Sequence, residues 1–207
     1  DMESNMKTHR SQSARLPDQS GFSLVEVLVS MLVLTGGLMA LLAALGISMA
    51  ATQTSQQDLI ARQVASEAME SIFNARNTSQ VGFSAIANTG TPPGIFLPNA
   101  LPLLCAGPDG ILDTADDTSC LTASGAVCPN GGVECLTEPG PDGILGTADD
   151  VIVSLNNYTR TVAITPLLEA GTTDPTLVQV SITINYTVPN SGHTKSYTLV
   201  DYISAYH

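Results

Sequence analysis

Phe22-Ser23-Leu24-Val25-Glu26-Val27-Leu28-Val29-Ser30-Met31-Leu32-Val33-Leu34 opens an apolar run that continues to Ala51 and holds one charge, Glu26. Some twenty apolar residues suffice to cross a bilayer as a helix, so the run predicts a membrane-spanning element. At roughly 1.5 Å per residue, Phe22–Ala51 would reach about 45 Å, beyond a hydrocarbon core of about 30 Å. The excess suits a helix that tilts, or one that packs among sister helices. A carboxylate in such a segment is costly, on the order of 2.5–3.5 kcal/mol at the bilayer centre and less toward the edge. Glu26 therefore calls for a partner.

The junction ahead of the run is also distinctive: a small residue (Gly21), an aromatic (Phe22), and an acid at the fifth position counted from that aromatic (Glu26). The stretch GFSLVEVLVSMLVL resembles the processing site and first helix of type IV pilins. The resemblance implies that a prepilin peptidase cuts after Gly21 and methylates the new amine at Phe22. It also implies that Glu26 neutralises the terminal amine of a neighbouring subunit during assembly. An ammonium and a carboxylate in a low dielectric each carry a large desolvation cost, which pairing relieves. Two other readings compete: a secretory signal peptide cleaved near Ser48-Met49-Ala50, and an uncleaved single-pass anchor. Neither accounts for an acid five residues from a Gly-Phe junction, and the run is longer than a signal core.

The chain has 207 residues and a formal net charge of -12, which disfavours a sequence-independent nucleic-acid role. Before Gly21, Lys7, Arg10 and Arg15 form a basic cluster on the side expected to stay cytoplasmic, so the acid-rich body faces outward. Residues 1–21 are thus expected to be a leader, with Met2 or Met6 as the natural start. Cys105, Cys120, Cys128 and Cys135 all fall in the outward part, with no Cys-x-x-Cys spacing and no neighbouring histidine, so zinc fits poorly. Two disulfides are expected in an oxidising compartment. Three pairings are open; local closure favours Cys105–Cys120 with Cys128–Cys135.

The expected fold class is α+β. One proline-free helix is expected over residues 22–78, with 22–51 as its membrane or filament-core part. In its second half Ile60, Val64, Ala68 and Ile72 recur every four residues, flanked by Ala61, Ala65, Met69 and Phe73. Arg62, Glu67, Glu70 and Arg76 are spaced away from that stripe. Gly36-Gly37 permits close helix contact or local unwinding. Many major pilins carry a proline a few residues further on, where this chain has Ala43; that departure favours a minor pilin or a pseudopilin. Residues 79–150 read as a long loop rich in Gly, Pro, Thr and Asp. Residues 151–207 read as an antiparallel sheet. Val178, Val180, Ile182, Ile184, Tyr186 and Val188 alternate with polar residues as a half-buried strand. Pro189–Gly192 should form a turn and Lys195–Tyr206 the returning partner, with Tyr158–Ile164 and Val151–Leu155 as further strands. The C-terminal hairpin resembles that of minor pilins of the pilus modification class.

A repeat lies within the loop. Gly107-Pro108-Asp109-Gly110-Ile111-Leu112-Asp113-Thr114-Ala115-Asp116-Asp117 returns as Gly140-Pro141-Asp142-Gly143-Ile144-Leu145-Gly146-Thr147-Ala148-Asp149-Asp150, differing only at Asp113 against Gly146. Two copies do not make a solenoid; they read as two loops of one design. Asp109, Asp113, Asp116 and Asp117 in the first, and Asp142, Asp149 and Asp150 in the second, are candidate ligands for calcium, a hard ion that takes six to eight oxygens. The spacing is not that of an EF-hand, and the competing reading is a solvated acidic turn. No nucleophile elbow, zincin motif or phosphate-cradling loop occurs, and His193 follows a turn, so no enzyme is expected. The expected function is a minor subunit of a type IV pilus, whose partners would be other pilin subunits, the prepilin peptidase and the inner-membrane assembly machinery. A type II secretion pseudopilin is the alternative within the same resemblance. A membrane-tethered calcium-binding adhesin that never polymerises is the alternative of another class.

Overall fold

The computed structural model describes residues 21–169, 171–188 and 192–206. The leader expected at 1–21, apart from Gly21, and Pro189–Ser191 of the expected turn lie outside these residues. The chain forms two units, one ending at Met49 and the other running from Ala50. Helix α1, Leu24–Asn77, contributes to both. In the first unit every residue from Gly21 is exposed, and the best stretch of α1 has a mean hydropathy of 2.3. The helix runs through Gly36-Gly37 and Ala43 without interruption.

From Ala50 onward α1 is amphipathic, and its apolar face packs on a sheet. Ala61, Val64, Ala65, Ala68, Met69, Ile72 and Ala75 are buried in one core with strand residues. Ile60 and Phe73, expected on the stripe, are only half-buried at its margin. Arg76 departs from the expectation. It is buried, and its guanidinium donates to the Ala205 carbonyl at 2.8 Å, which fastens the end of the last strand to the last turn of the helix.

The main sheet has four antiparallel strands in the order β1 (Leu101–Pro102), β4 (Tyr158–Glu169), β5 (Thr172–Thr187), β6 (Thr194–Ser204). Alternation sets its faces. Val178, Val180, Ile182, Ile184 and Tyr186 of β5 point to the core, opposite Tyr158, Arg160, Val162 and Ile164 of β4. On β6, Tyr197, Leu199 and Ile203 stand beside Ile184, Ile182 and Val178. Pro166 falls beyond the short reach of β1, where β4 has no outer neighbour among the described residues to receive an N–H.

Two features of the loop region were not expected. It supplies β1 to the main sheet, and it supplies β2 (Cys135–Glu138), which pairs with β3 (Val151–Ser154) in a separate two-stranded sheet. Val151–Leu155, expected as a further strand of the main sheet, is therefore a strand in a different one. The segment ahead of β1 is stitched down by Asn88, whose side chain donates to the Val162 carbonyl and accepts from the Ile164 N–H, both at 2.8 Å. The disulfides are Cys105–Cys120 and Cys128–Cys135, with Cα atoms 5.0 and 5.8 Å apart. The first closes a sequence separation of 15, for which chain entropy predicts about 3 kcal/mol. Oxidised protein denatured without reductant should show no titratable thiol, and peptide mapping should return these two bridges; a stoichiometric free thiol would contradict the pairing.

Candidate functional site

The first candidate site is the start of α1. Phe22 is 82 % exposed, and Glu26 stands in the first turn of the helix. An acid there suits the positive end of the helix dipole. The hydroxyls in this segment are satisfied locally: Ser30 donates to the Val27 carbonyl and Thr35 to the Met31 carbonyl, each at 2.8 Å. Such back-bonding lets a hydroxyl sit in an apolar medium. Glu26 has no such recourse, because a carboxylate carries no proton to donate. Among the described residues it has neither an ion-pair nor a hydrogen-bond partner.

The second candidate site is the pair of acidic loops, which share a frame of hydrogen bonds. In the first, the Gly110 N–H donates to the Gly107 carbonyl, and the Ile111 N–H to Asp109 Oδ1. The Asp109 N–H donates to Asp116 Oδ2, the Asp113 N–H to Asp117 Oδ2, and Thr114 Oγ1 to Asp116 Oδ1. In the second, Gly143, Ile144, Asp142, Gly146 and Thr147 repeat these donations to Gly140, Asp142, Asp149, Asp150 and Asp149. The aspartates thus cap backbone N–H groups of their own loop. Gly107 and Gly140 are required by close approach, since a Cβ at either would collide with the carbonyl of Asp116 or Asp149.

The single difference between the repeats falls on a left-handed position. Gly146 has φ of 90° and Asp113 has φ of 62°. Glycine adopts this region freely; Asp tolerates it at a cost. Asp113 is held there by Arg160 of β4, whose Nε donates to its Oδ2 at 2.5 Å, with side-chain exposures of 1 % and 2 % for the two residues. Arg160 also reaches the Leu104 carbonyl at 3.5 Å. Burial pushes the Asp113 carboxyl up, against the downward pull of the Arg160 charge and hydrogen bond. The first loop is seated by its apolar tip as well: Ile111 and Leu112 are buried, and the Leu112 N–H donates to Ser71 Oγ of α1 at 3.2 Å. In the second loop the equivalent Ile144 and Leu145 are 61 % and 62 % exposed.

Of the residues expected to bind calcium, Asp109, Asp116 and Asp117 come within 2.7–3.3 Å of one hydroxyl, Thr114 Oγ1. Asp113 is drawn away to Arg160. The hydrogen bond from Thr114 holds Asp116 below the usual carboxylate range, and Thr147 does the same for Asp149. Burial pushes Asp117 up. Among the described residues no group of three His, Cys, Asp or Glu side chains is placed to hold a metal ion. Sequence reasoning missed Arg160, although Tyr158, Arg160, Val162 and Ile164 share one parity along the strand and so one face of the sheet. It also missed Glu134, which burial and then the nearby charge of Glu67 push above the ordinary 4.5.

No protein-family model, no curated protein and no solved structure matches this chain.

Two outcomes follow from the buried groups. Asp113→Ala leaves Arg160 charged and unpaired in the core and should lower unfolding stability by about 3–5 kcal/mol in denaturant titration. Asp113→Asn, which keeps an acceptor and tolerates the left-handed backbone, should cost less. For Glu134 the folded state holds its proton more tightly than the unfolded state, so its contribution falls as pH rises from 4.5 through the raised folded value. Glu134→Gln should therefore raise the melting temperature at neutral pH, and the gain should disappear in acid below the ordinary carboxylate range.

Proposed function

We propose that this chain is a minor subunit of a type IV pilus. In this reading it is cleaved after Gly21, held in the inner membrane by the first half of α1 with its head outward, and then drawn into a fibre through that helix. The observation that carries the reading is Glu26, a carboxylate alone in an exposed apolar helix, one turn from a Gly-Phe junction. The methylated amine of Phe22 in a neighbouring subunit is a partner of the right charge at the right depth. A long helix followed by an antiparallel sheet head accords with the same reading. The secretion pseudopilin uses identical chemistry, and Ala43 in place of a helix-melting proline accords with it equally. Glu26→Ala should leave cleavage at Gly21 intact while the subunit disappears from sheared fibres. Gly21→Leu should block cleavage, seen as an unprocessed band and no N-methyl-Phe22 on amino-terminal sequencing. Fibre levels of Glu26→Ala equal to the parent would remove the assembly role. Cleavage near Ala51, or an intact leader, would favour the tethered adhesin.

Calcium at the acidic loops belongs to the same proposal. It is supported by carboxylates that, among the described residues, have no ion-pair partner in the second loop and, apart from Asp113, none in the first. Binding to the folded state alone stabilises it by RT ln(1 + [L]/Kd), about 2.7 kcal/mol at a hundredfold excess over Kd. Millimolar calcium should raise the melting temperature and magnesium should do so less, because the smaller ion demands octahedral geometry and sheds water reluctantly. Asp109→Ala with Asp116→Ala should remove the first loop's share. An absent calcium response would leave the aspartates as caps of their own loops.

A further inference from the structure

Three buried polar groups that bond to nothing in their own chain meet in one cavity. Gln57 Oε1 on α1, Ser154 Oγ at the end of β3 and the Tyr158 hydroxyl at the start of β4 are buried with no hydrogen-bond partner. All three line a single cavity of about 910 Å³, within the size range of sites for small organic ligands. A buried tyrosine hydroxyl ordinarily finds a partner. Here Tyr158 is only 2 % exposed and its ring is stacked on Tyr186, so the hydroxyl is held in place. The backbone behind it is fixed as well. The Tyr158 N–H donates to the Leu155 carbonyl at 3.0 Å, and Asn157 bonds Thr187 through both its carbonyl and its side-chain amide at 3.3 Å. An unpartnered buried polar group costs stability, and three facing one space mark a site.

The chemistry of the wall narrows what enters. Burial and then the charge of Asp58 push Tyr158 up to about 12, so at neutral pH its hydroxyl donates. No Lys, Arg or His is among the described residues of the wall, and its one acid, Glu138, is exposed. An anion would meet no countercharge. A cation would leave water for buried groups that are all neutral. A purely apolar ligand would strand the three polar groups. The fit is a neutral molecule that both donates and accepts within a short span. Neighbouring hydroxyls do both, whereas an amide N–H only donates and its carbonyl only accepts. Ile60, Val153 and Leu155 supply an apolar side for C–H groups.

We propose that this cavity binds a neutral saccharide, the size of a mono- or disaccharide, whose hydroxyls bond Gln57, Ser154 and Tyr158 while its C–H faces lie on the apolar side. Each sugar hydroxyl takes a position that water otherwise serves, and it reproduces water's capacity both to donate and to accept. The whole wall lies in the unit that begins at Ala50, so the site depends neither on cleavage at Gly21 nor on entry into a fibre.

The test titrates the full-length chain, in a detergent without sugar headgroups, with glucose, galactose, N-acetylglucosamine, maltose and lactose in a calorimeter. The same sugars are also presented on an array. At least one should bind with a Kd of about 1 mM or tighter. Binding of the free sugar identifies a small-molecule ligand, and binding confined to the array identifies the end of a glycan; either supports the site. Tyr158→Phe keeps the ring on Tyr186 and removes only the hydroxyl. It should weaken binding about tenfold with the melting temperature not lowered, since that hydroxyl has no partner in its own chain. Ser154→Ala should act in the same way, and Tyr202→Phe, an exposed tyrosine of β6, should change nothing. Binding unaffected by both Tyr158→Phe and Ser154→Ala would overturn the proposal, as would no binding of any sugar up to about 50 mM. So would equal affinity for glucose 6-phosphate or N-acetylneuraminic acid, or tighter binding of a capped dialanine peptide. A melting temperature lowered by Tyr158→Phe with affinity intact would assign the hydroxyl to the fold instead.

Discussion

The head depends on a guanidinium that has been taken out of water. Arg160 sits on the inward face of β4, registered between Leu101 of β1 and Ile184 of β5, on a face otherwise lined by aliphatic and tyrosine side chains. A charge so placed is tolerable only when an opposite charge meets it with good geometry. Asp113 supplies that charge to Nε from a distant loop, in a backbone conformation that an ordinary residue avoids, while Nη1 is buried without a hydrogen-bond partner. That demand fixes the path of the chain. The Asp113 carbonyl receives the Leu97 N–H at 2.9 Å, Ser71 holds the adjacent residue, and the Gln80 amide donates to the Asp109 carbonyl at the mouth of the loop. Buried ion pairs contribute little net stability, but a wrong register here would strand a charge. The pair selects one arrangement of loop on sheet.

How much of this was legible depended on whether a pattern is periodic. α1 and the β5–β6 pair announce themselves because residues facing one core must repeat at 3.6 or 2 positions, and Val178 to Val188 do so without a break. The local disulfides were legible as the simplest closure among three. β1 and β2 were not, since two and four residues are too short to establish a period, and what makes them strands is the neighbour each finds. Arg76 was read only as spaced away from the apolar stripe. Its aliphatic stem and its bond to Ala205 show a side chain whose head serves a strand end rather than water. The acidic repeats were legible as a pair but not as a contrast. The one substitution between them, Asp113 against Gly146, marks which loop is anchored inward.

Asp58 shows the same logic at the surface. The Tyr186 hydroxyl donates to its carboxylate, which lies below the usual range chiefly for that reason, with Lys195 at 3.4 Å adding to it. Tyr186 is in turn pushed up to about 12 by burial and by that same bond. Its ring stacks on Tyr158 at 5.4 Å between centroids, so the outer end of β4 and β5 is closed by an aromatic pair tied to α1. One helix thereby meets the sheet at both of its ends, through Asp58 and through Arg76.

The clasp between Arg76 and Ala205 joins groups 129 residues apart. A ribosome building this chain releases the helix face Ala61–Ala75 early and the strands that shelter it last. For most of synthesis, that face is a bare apolar surface that follows a second one in sequence, the segment Phe22–Ala51. Contacts so far apart in sequence are slow to form, and uncovered apolar surface invites aggregation. Until the last strand arrives, nothing in the chain's own fold covers the helix face Ala61–Ala75.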